Sequence, residues 1–293
     1  MSHNTQSFQE LSYHAQKEHW IRDAATPERL KVHQGWFRED TVDFWRHERM
    51  SEAVFECLVN ARADRWLTVG DGRYGLDAIR MVRRGFSDVT ASDLSDHLLQ
   101  VSRQAGALQK ISAENAERLS FADRSFDYVL CKEAFHHFPR PMLALYEMLR
   151  VACKGIVLIE PQDSYVDMPT LSGEHKASYE SDGNYVYTLS RREVEKVALG
   201  LDLPAVAFKS IYDIFDPALT DELAQEGNPL FAAFRARVHD IEARCERMEL
   251  KHNMLLAMIF VAMPGDQEIA RFSERGWSFQ KLDRNPYISQ AAA

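Results

Sequence analysis

Two short stretches hold most of the residues that could do chemistry. Residues 130–141 read LCKEAFHHFPRP, which puts Cys131, Lys132, Glu133, His136 and His137 within a few positions of one another. Such a set could hold a metal ion, pair a nucleophile with a base, or do neither. Residues 70–75 read GDGRYG, a literal G-x-G-x-x-G. Glycines at that spacing let a backbone turn tightly and approach a ligand, and a helix that follows offers unpaired N–H groups at its N-terminus. Asp93 stands about 20 residues on, where an acid accepts hydrogen bonds from the two hydroxyls of a ribose. The pattern fits NAD, and it fits any other adenosine-containing cofactor.

These residues need elements to position them. Residues 65–69 (RWLTV) read as a strand running into GDGRYG, and residues 76–84 as a helix leaving it. Residues 88–91 form a short strand ending near Asp93. Residues 95–107 form a helix with Ser95 as its N-cap. Residues 126–131 (FDYVLC) form a strand, and residues 141–151 a helix with Pro141 in its first turn. Residues 155–160 (GIVLIE) form the next strand. Near-continuous apolar strands alternating with helices argue a parallel sheet covered on both faces.

The later half is less regular. Residues 162–189 are polar and carry Tyr165, Tyr179, Tyr185 and Tyr187 along with Gly173 and Gly183, which suggests a loop over a site. Ser190 and Glu193 make a capping-box pattern ahead of a helix. Residues 205–215 and 255–263 read as core strands. Residues 229–248 form a helix whose apolar seam, Phe234, Val238, Ile241, Cys245 and Met248, packs on the domain or on a second subunit in a homodimer. Three of the five tryptophans, Trp20, Trp36 and Trp45, fall in the polar leader, so helices packed on the core are expected there.

Composition excludes several classes. The formal net charge of −9 argues against non-specific nucleic-acid binding, and no basic stripe offsets it. Four widely separated cysteines argue against a disulfide framework and against zinc spacing, and fit a reducing cytoplasm. The opening MSHNTQSFQE lacks the apolar run of a secretion signal. The most apolar stretch, LLAMIFVAMPG, is too short to cross a bilayer, so no membrane association is expected.

The segment ENAERLSFADRSFD at residues 114–127 breaks the tie between cofactors. It resembles the D-A-E-x-L-P-F-x-D-x-S-F-D segment that precedes the fourth strand in class I S-adenosylmethionine-dependent methyltransferases. The LCKEAFHHFPRP stretch then falls on that strand and the loop after it, and the resemblance extends over residues 64–161. It implies an α/β fold: a Rossmann-like seven-stranded, mostly parallel sheet with helices on both faces, an N-terminal helical lid and a helical insertion before the last strand. The implied division is a lid at residues 1–60 and a core at residues 61–293, with the 162–189 loop and the 216–252 insertion forming an acceptor pocket. Two positions depart from the family. Thr68 stands where an acid is frequent, with Asp71 inside the turn instead, and Asn115 replaces the adenine-side aspartate.

By the same resemblance, Gly70, Asp71 and Gly72 lie against the methionine part of S-adenosyl-L-methionine. Asp93 holds the ribose hydroxyls, Leu94 packs on adenine, Asn115 and Ala116 line the adenine edge, and Lys132 and Glu133 sit beneath the methionine moiety. From the leader, Arg49 or Arg46 pairs with the cofactor carboxylate, and Tyr13, His14, His19 and His33 are lid residues that touch substrate. His136 and His137 are candidate catalytic bases toward a small-molecule methyl acceptor, through O- or N-methylation of a sugar or natural-product intermediate. No metal site is expected, because adjacent residues rarely point the same way and no second cluster has ligand spacing. Two alternatives stay open: an NAD(P)-dependent oxidoreductase, against which no Tyr-x-x-x-Lys pair stands in a suitable place, and a non-catalytic scaffold of the same fold.

Overall fold

The computed structural model describes residues 7–23, 33–171, 178–180 and 184–287. In chain order its main elements begin with α1 (Phe8–Asp23), α2 (Val42–Phe55), β1 (Arg65–Val69), α3 (Leu76–Arg83), β2 (Asp88–Asp93), α4 (His97–Gln104), β3 (Lys110–Ala113) and β4 (Phe126–Lys132). Next come a 3-10 turn (Phe135–His137), α5 (Pro141–Val151), β5 (Ala152–Pro161), α6 (Ser164–Asp167), α7 (Arg191–Gly200) and β6 (Ala205–Ile211). The chain closes with α8 (Pro229–Glu246), β7 (Met254–Phe260), α9 (Asp266–Glu274) and β8 (Ser278–Lys281). The strands form one eight-stranded sheet in the order β3-β2-β1-β4-β5-β7-β6-β8, one strand more than the sequence implies.

The chain divides into two compact units. The first holds residues 1–33, 63–152 and 176–187, and the second holds 34–62, 153–175 and 188–293. The leader is thus shared: α1 and His33 fall in the first unit and α2 in the second.

In the first unit β1 pairs in parallel with β2 and β4, and β2 with β3. Trp66 on β1 is fully buried, stacked on Tyr128 at 4.7 Å and edge-on to Phe86 at 5.4 Å. Truncating such a residue costs about 3–5 kcal/mol. β3 (KISA) has no apolar run and is half exposed, so pattern alone misses it. The helix expected from Ser95 begins at His97, because the Asp93 carboxylate takes the Ser95 N–H at 3.0 Å and no side chain caps α4.

In the second unit β7 is antiparallel to β5 and to β6, and β8 is antiparallel to β6. All seven residues of β7 (MLLAMIF) are buried, which accounts for the longest apolar run in the chain. α7 starts with the expected capping box of Ser190 and Glu193. The α8 seam is used inside this unit: Phe231, Phe234 and Val238 cluster with Val42 and Ile214, and Trp45 and Ile241 pack beside them. Among the described residues no helix is long and apolar enough to cross a membrane.

Candidate functional site

Parallel register sets the site. Val69 at the end of β1 lies opposite Ser92 on β2 and Cys131 on β4, and Asp93 lies opposite Ala113 on β3. The next residues, Gly70, Asp93 and Lys132, therefore stand level with Ala113 at the carboxyl ends of neighbouring strands, where open α/β sheets bind ligands.

Gly70 sits at φ +75°, and a Cβ there would come within 2.3 Å of Ala134 Cβ. Gly75 sits at φ +69°, with Leu108 Cδ1 2.5 Å from where its Cβ would be. Both positions need glycine, one to keep the turn close to the β4 loop and one to seat α3 on β2 and α4. The sequence set Asp71 against the cofactor. The structure turns its carboxylate inward, where it is 5% exposed. Thr68 Oγ1 donates to it at 2.9 Å, and the backbone N–H groups of Asp77 and Ala78 donate at 3.2 and 2.9 Å. Burial and the neighbouring Asp77 push its carboxyl up to about 8. The departure noted at Thr68 and the acid in the turn are thus one arrangement: the acid lies three residues later and caps α3. It takes α3's early N–H groups.

Asp93 is part-exposed. Burial pushes its carboxyl up to about 6, against the pull of the Ser95, Gly72 and Leu94 N–H groups and of His137. Leu94 beside it is half-buried. The Glu114 N–H donates to the Asp93 carbonyl at 2.8 Å and ties the next loop to β2. In that loop Asn115 Oδ1 accepts the Glu117 N–H at 2.9 Å, and Ala116 is 8% exposed.

Lys132 is buried in an ion-pair cluster, its Nζ 2.6 Å from Glu133 and 3.6 Å from Asp77. Burial works to lower its affinity for a proton, but the Asp77 and Glu133 carboxylates outweigh it and the net shift is upward. Glu133 adopts φ +49°, a left-handed conformation that costs a non-glycine residue energy and recurs at functional loops. Cys131 is fully buried, which makes it a core residue rather than a nucleophile.

His136 and His137 end the 3-10 turn after β4. Their rings lie 4.2 Å apart and both approach one carboxylate, Glu180, which has no role in the sequence reading. His137 Nδ1 is 2.7 Å from Glu180 Oε2 and His136 Nε2 is 3.8 Å from Oε1. The adjacent His137 ring holds the Glu180 carboxyl down at about 2. Tyr179 bridges to Tyr185, and Tyr187 packs edge-on to Phe135 at 5.8 Å, so the tyrosines of this segment seat it beside the turn.

The leader reaches the same edge. Tyr13 donates to Glu117 Oε2 at 2.7 Å, and Arg140 Nε donates to the same oxygen at 2.6 Å. His33 Nδ1 lies 2.9 Å from the Tyr74 hydroxyl in the glycine turn. Glu117 and Tyr74, which the sequence reading gave no role, are thus the anchors of the leader. His14 is exposed, and the side chains of His19 and Trp20 lie outside the described residues. Arg46 and Arg49, expected at the cofactor carboxylate, have their recorded partners in the second unit. Arg46 pairs with Asp213 and Asp43. Arg49 pairs with Glu242, reaches the Tyr212 carbonyl and stacks over Trp45 at 5.0 Å.

The residues at this edge fall within a stretch that matches known proteins. Residues 67–159 match the family described as Methyltransferase domain. The chain is 29% identical over 136 residues to the ubiquinone/menaquinone biosynthesis C-methyltransferase UbiE of Bradyrhizobium diazoefficiens, which covers 43% of this chain and 53% of that protein. It is 30% identical over 135 residues to the O-methyltransferase rstn1 of Aspergillus nomiae, covering 42% of this chain and 59% of that protein. The chain thus spans about half the length of the curated relatives it matches. Two solved structures share the fold. One is the [4+2]-cyclase SpnF, with TM-score 0.51 and 16% identity over 85% of this chain and 97% of that one. The other is the 1,6-didemethyltoxoflavin-N1-methyltransferase of Burkholderia thailandensis, solved with 1,6-didemethyltoxoflavin and S-adenosylhomocysteine, with TM-score 0.53 and 11% identity over 87% of this chain and 91% of that one. Residues 67–159 thus match a methyltransferase domain, and the chain shares its fold with a solved methyltransferase.

Proposed function

We propose that the chain transfers a methyl group from S-adenosyl-L-methionine to an oxygen or nitrogen of a small-molecule acceptor, such as a sugar or natural-product intermediate, in the cytoplasm. The supporting observation is the register of the first unit, which sets Gly70, Asp93 and Lys132 level at one edge of a domain that matches methyltransferases. The residues present fit the cofactor. A glycine turn that admits no Cβ leaves room for close backbone approach, and Asp93 supplies an acceptor for a ribose diol. When bound, the cofactor supplies an electrophilic methyl group on a sulfonium.

The chain's own part is chiefly positioning. The Gly70 and Gly72 backbone lies along the methionine moiety, Asp93 holds the ribose, and Leu94, Asn115 and Ala116 line the adenine. Asn115 differs in detail from an aspartate. Its Oδ1 already accepts the Glu117 N–H, so its amide N–H groups are what it adds toward the adenine ring nitrogens. The ion pair of Lys132 and Glu133 keeps the floor of the methionine site rigid. His136 and His137 lie on the acceptor side. The acidic surface and the tie of the leader to Glu117 favour a small acceptor over nucleic acid.

Calorimetric titration of the purified chain with S-adenosylmethionine, S-adenosylhomocysteine and NAD, each alone, tests the reading. Micromolar binding of the first two with no response to NAD is expected. Binding of NAD alone would overturn it in favour of an oxidoreductase, and silence from all three would leave a scaffold that shares the fold.

A further inference from the structure

Among the described residues, His136, His137 and Glu180 bring three ligand atoms of metal-binding type within 4.8 Å of one another. The two histidines converge because they use different nitrogens. His137 reaches Glu180 with the near nitrogen, Nδ1, and His136 with the far one, Nε2, which compensates for their different directions out of the 3-10 turn.

The contact between His137 and Glu180 is close without being a good hydrogen bond. Nδ1 lies 2.7 Å from the carboxylate, yet it is buried with no aligned hydrogen-bond partner. An oxygen this near a ring nitrogen but off its N–H direction stands where a neighbouring ligand of one shared cation would stand. Ligands of a tetrahedral ion with bonds of about 2.0–2.1 Å lie roughly 3.3 Å apart, and the separations here bracket that value. An outer partner is in place as well: Asn184 Nδ2 donates to Glu180 Oε2 at 3.0 Å and to the His136 carbonyl at 3.3 Å. Carboxylate ligands are commonly oriented by such second contacts.

We propose that His136, His137 and Glu180 bind one divalent first-row transition-metal ion of the zinc class. Two imidazoles and one carboxylate suit zinc, cobalt, nickel or iron(II), whereas magnesium and calcium favour all-oxygen sites. The ion fastens Glu180 to the turn after β4. Three protein ligands leave a coordination position open to water or to an oxygen of the acceptor. That last role rests on the methyl-transfer reading, whereas the metal site does not.

The test uses the full chain, freed of any affinity tag and treated with a chelator, titrated calorimetrically with zinc chloride alone and with magnesium chloride alone. One zinc per chain at micromolar or tighter affinity is expected, with no response to magnesium. Cobalt(II) should develop visible d–d absorbance with the same stoichiometry. Glu180→Gln should weaken zinc binding by at least about tenfold and abolish the cobalt spectrum. His97→Gln, at an exposed histidine on α4, should change neither. Glu180 lies in a half-exposed segment, so its variant keeps the fold, which an unchanged melting curve verifies; His137→Asn gives an independent second variant. Absence of saturable zinc binding to the wild-type chain would overturn the proposal, as would undiminished binding in both variants. Titration of S-adenosylhomocysteine into the same samples separates the two ideas, since loss of the metal site leaves the cofactor turn intact.

Discussion

Replacing Asp93 with asparagine should stabilise the protein while weakening cofactor binding. Burial holds the Asp93 carboxyl at about 6, against an ordinary 3.8 in the unfolded chain. The folded state therefore binds a proton that the unfolded state releases between those two values. The energetic penalty of the charged carboxylate is absent below the lower value, grows between them and is complete above the higher one. A difference of about two pH units corresponds to just under 3 kcal/mol at about 1.36 kcal/mol per unit. Asp93 is part-exposed and water screens it, so about 1–2 kcal/mol is the expected gain at pH 7. Asparagine keeps an oxygen for the Ser95 N–H, so the local turn survives. It loses the charge that strengthens hydrogen bonds to ribose hydroxyls, which are worth about 1.5–3 kcal/mol when an ionised partner is involved. Urea unfolding at pH 7 and at pH 4 should show the gain at the first and little at the second. Calorimetry with S-adenosylhomocysteine should show affinity falling by about ten- to a hundredfold. A variant less stable at pH 7, or one that binds S-adenosylhomocysteine as tightly as the parent, would refute this account of Asp93.

Three further outcomes follow from the geometry. Gly70→Ala forces a Cβ to within 2.3 Å of Ala134 at φ +75°, and should lose about 2–4 kcal/mol in urea unfolding along with measurable cofactor binding. Tyr13→Phe removes the hydroxyl that donates to Glu117 and should cost about 1–2 kcal/mol of local anchoring, seen as faster amide exchange in α1 with the global unfolding midpoint unchanged. Arg150 donates to the carbonyls of Leu119 and Phe121 and pairs with Glu147 and Asp123. Arg150→Met should lower stability by about 2–3 kcal/mol, and lysine should rescue it little because one ammonium cannot span both carbonyls.

What the sequence made legible follows from how each feature is encoded. β1, β4 and β7 are buried along nearly their whole length, so their apolar runs announce them. β3 is an edge strand of mixed polarity, whose partner on β2 makes it a strand. Cap chemistry was legible where it is local, as at Ser190. It failed at Ser95, where the competing acceptor, Asp93, stands two residues back. The strand ends on which Gly70, Asp93 and Lys132 sit were legible from their order along the chain, but the direction of a side chain was not. Asp71 occupies the motif position expected of a ligand contact, yet Thr68 and two backbone N–H groups turn it into a helix cap.

The paired histidines show the same limit from the opposite side. Adjacency argues against convergence when each side chain is represented by one direction from its Cα. Imidazole has two ring nitrogens at different reaches, and a 3-10 turn rotates successive residues by about 120°. A near nitrogen on one ring and a far nitrogen on the next can then meet at one point, provided a third group lies there to mark it. That group is Glu180, which comes in from far along the chain, through the pairing of Glu180 with Asn184 and the packing of Tyr187 on Phe135. No local pattern encodes such a meeting. The sequence shows the two imidazoles, and the carboxylate between them comes from tertiary structure.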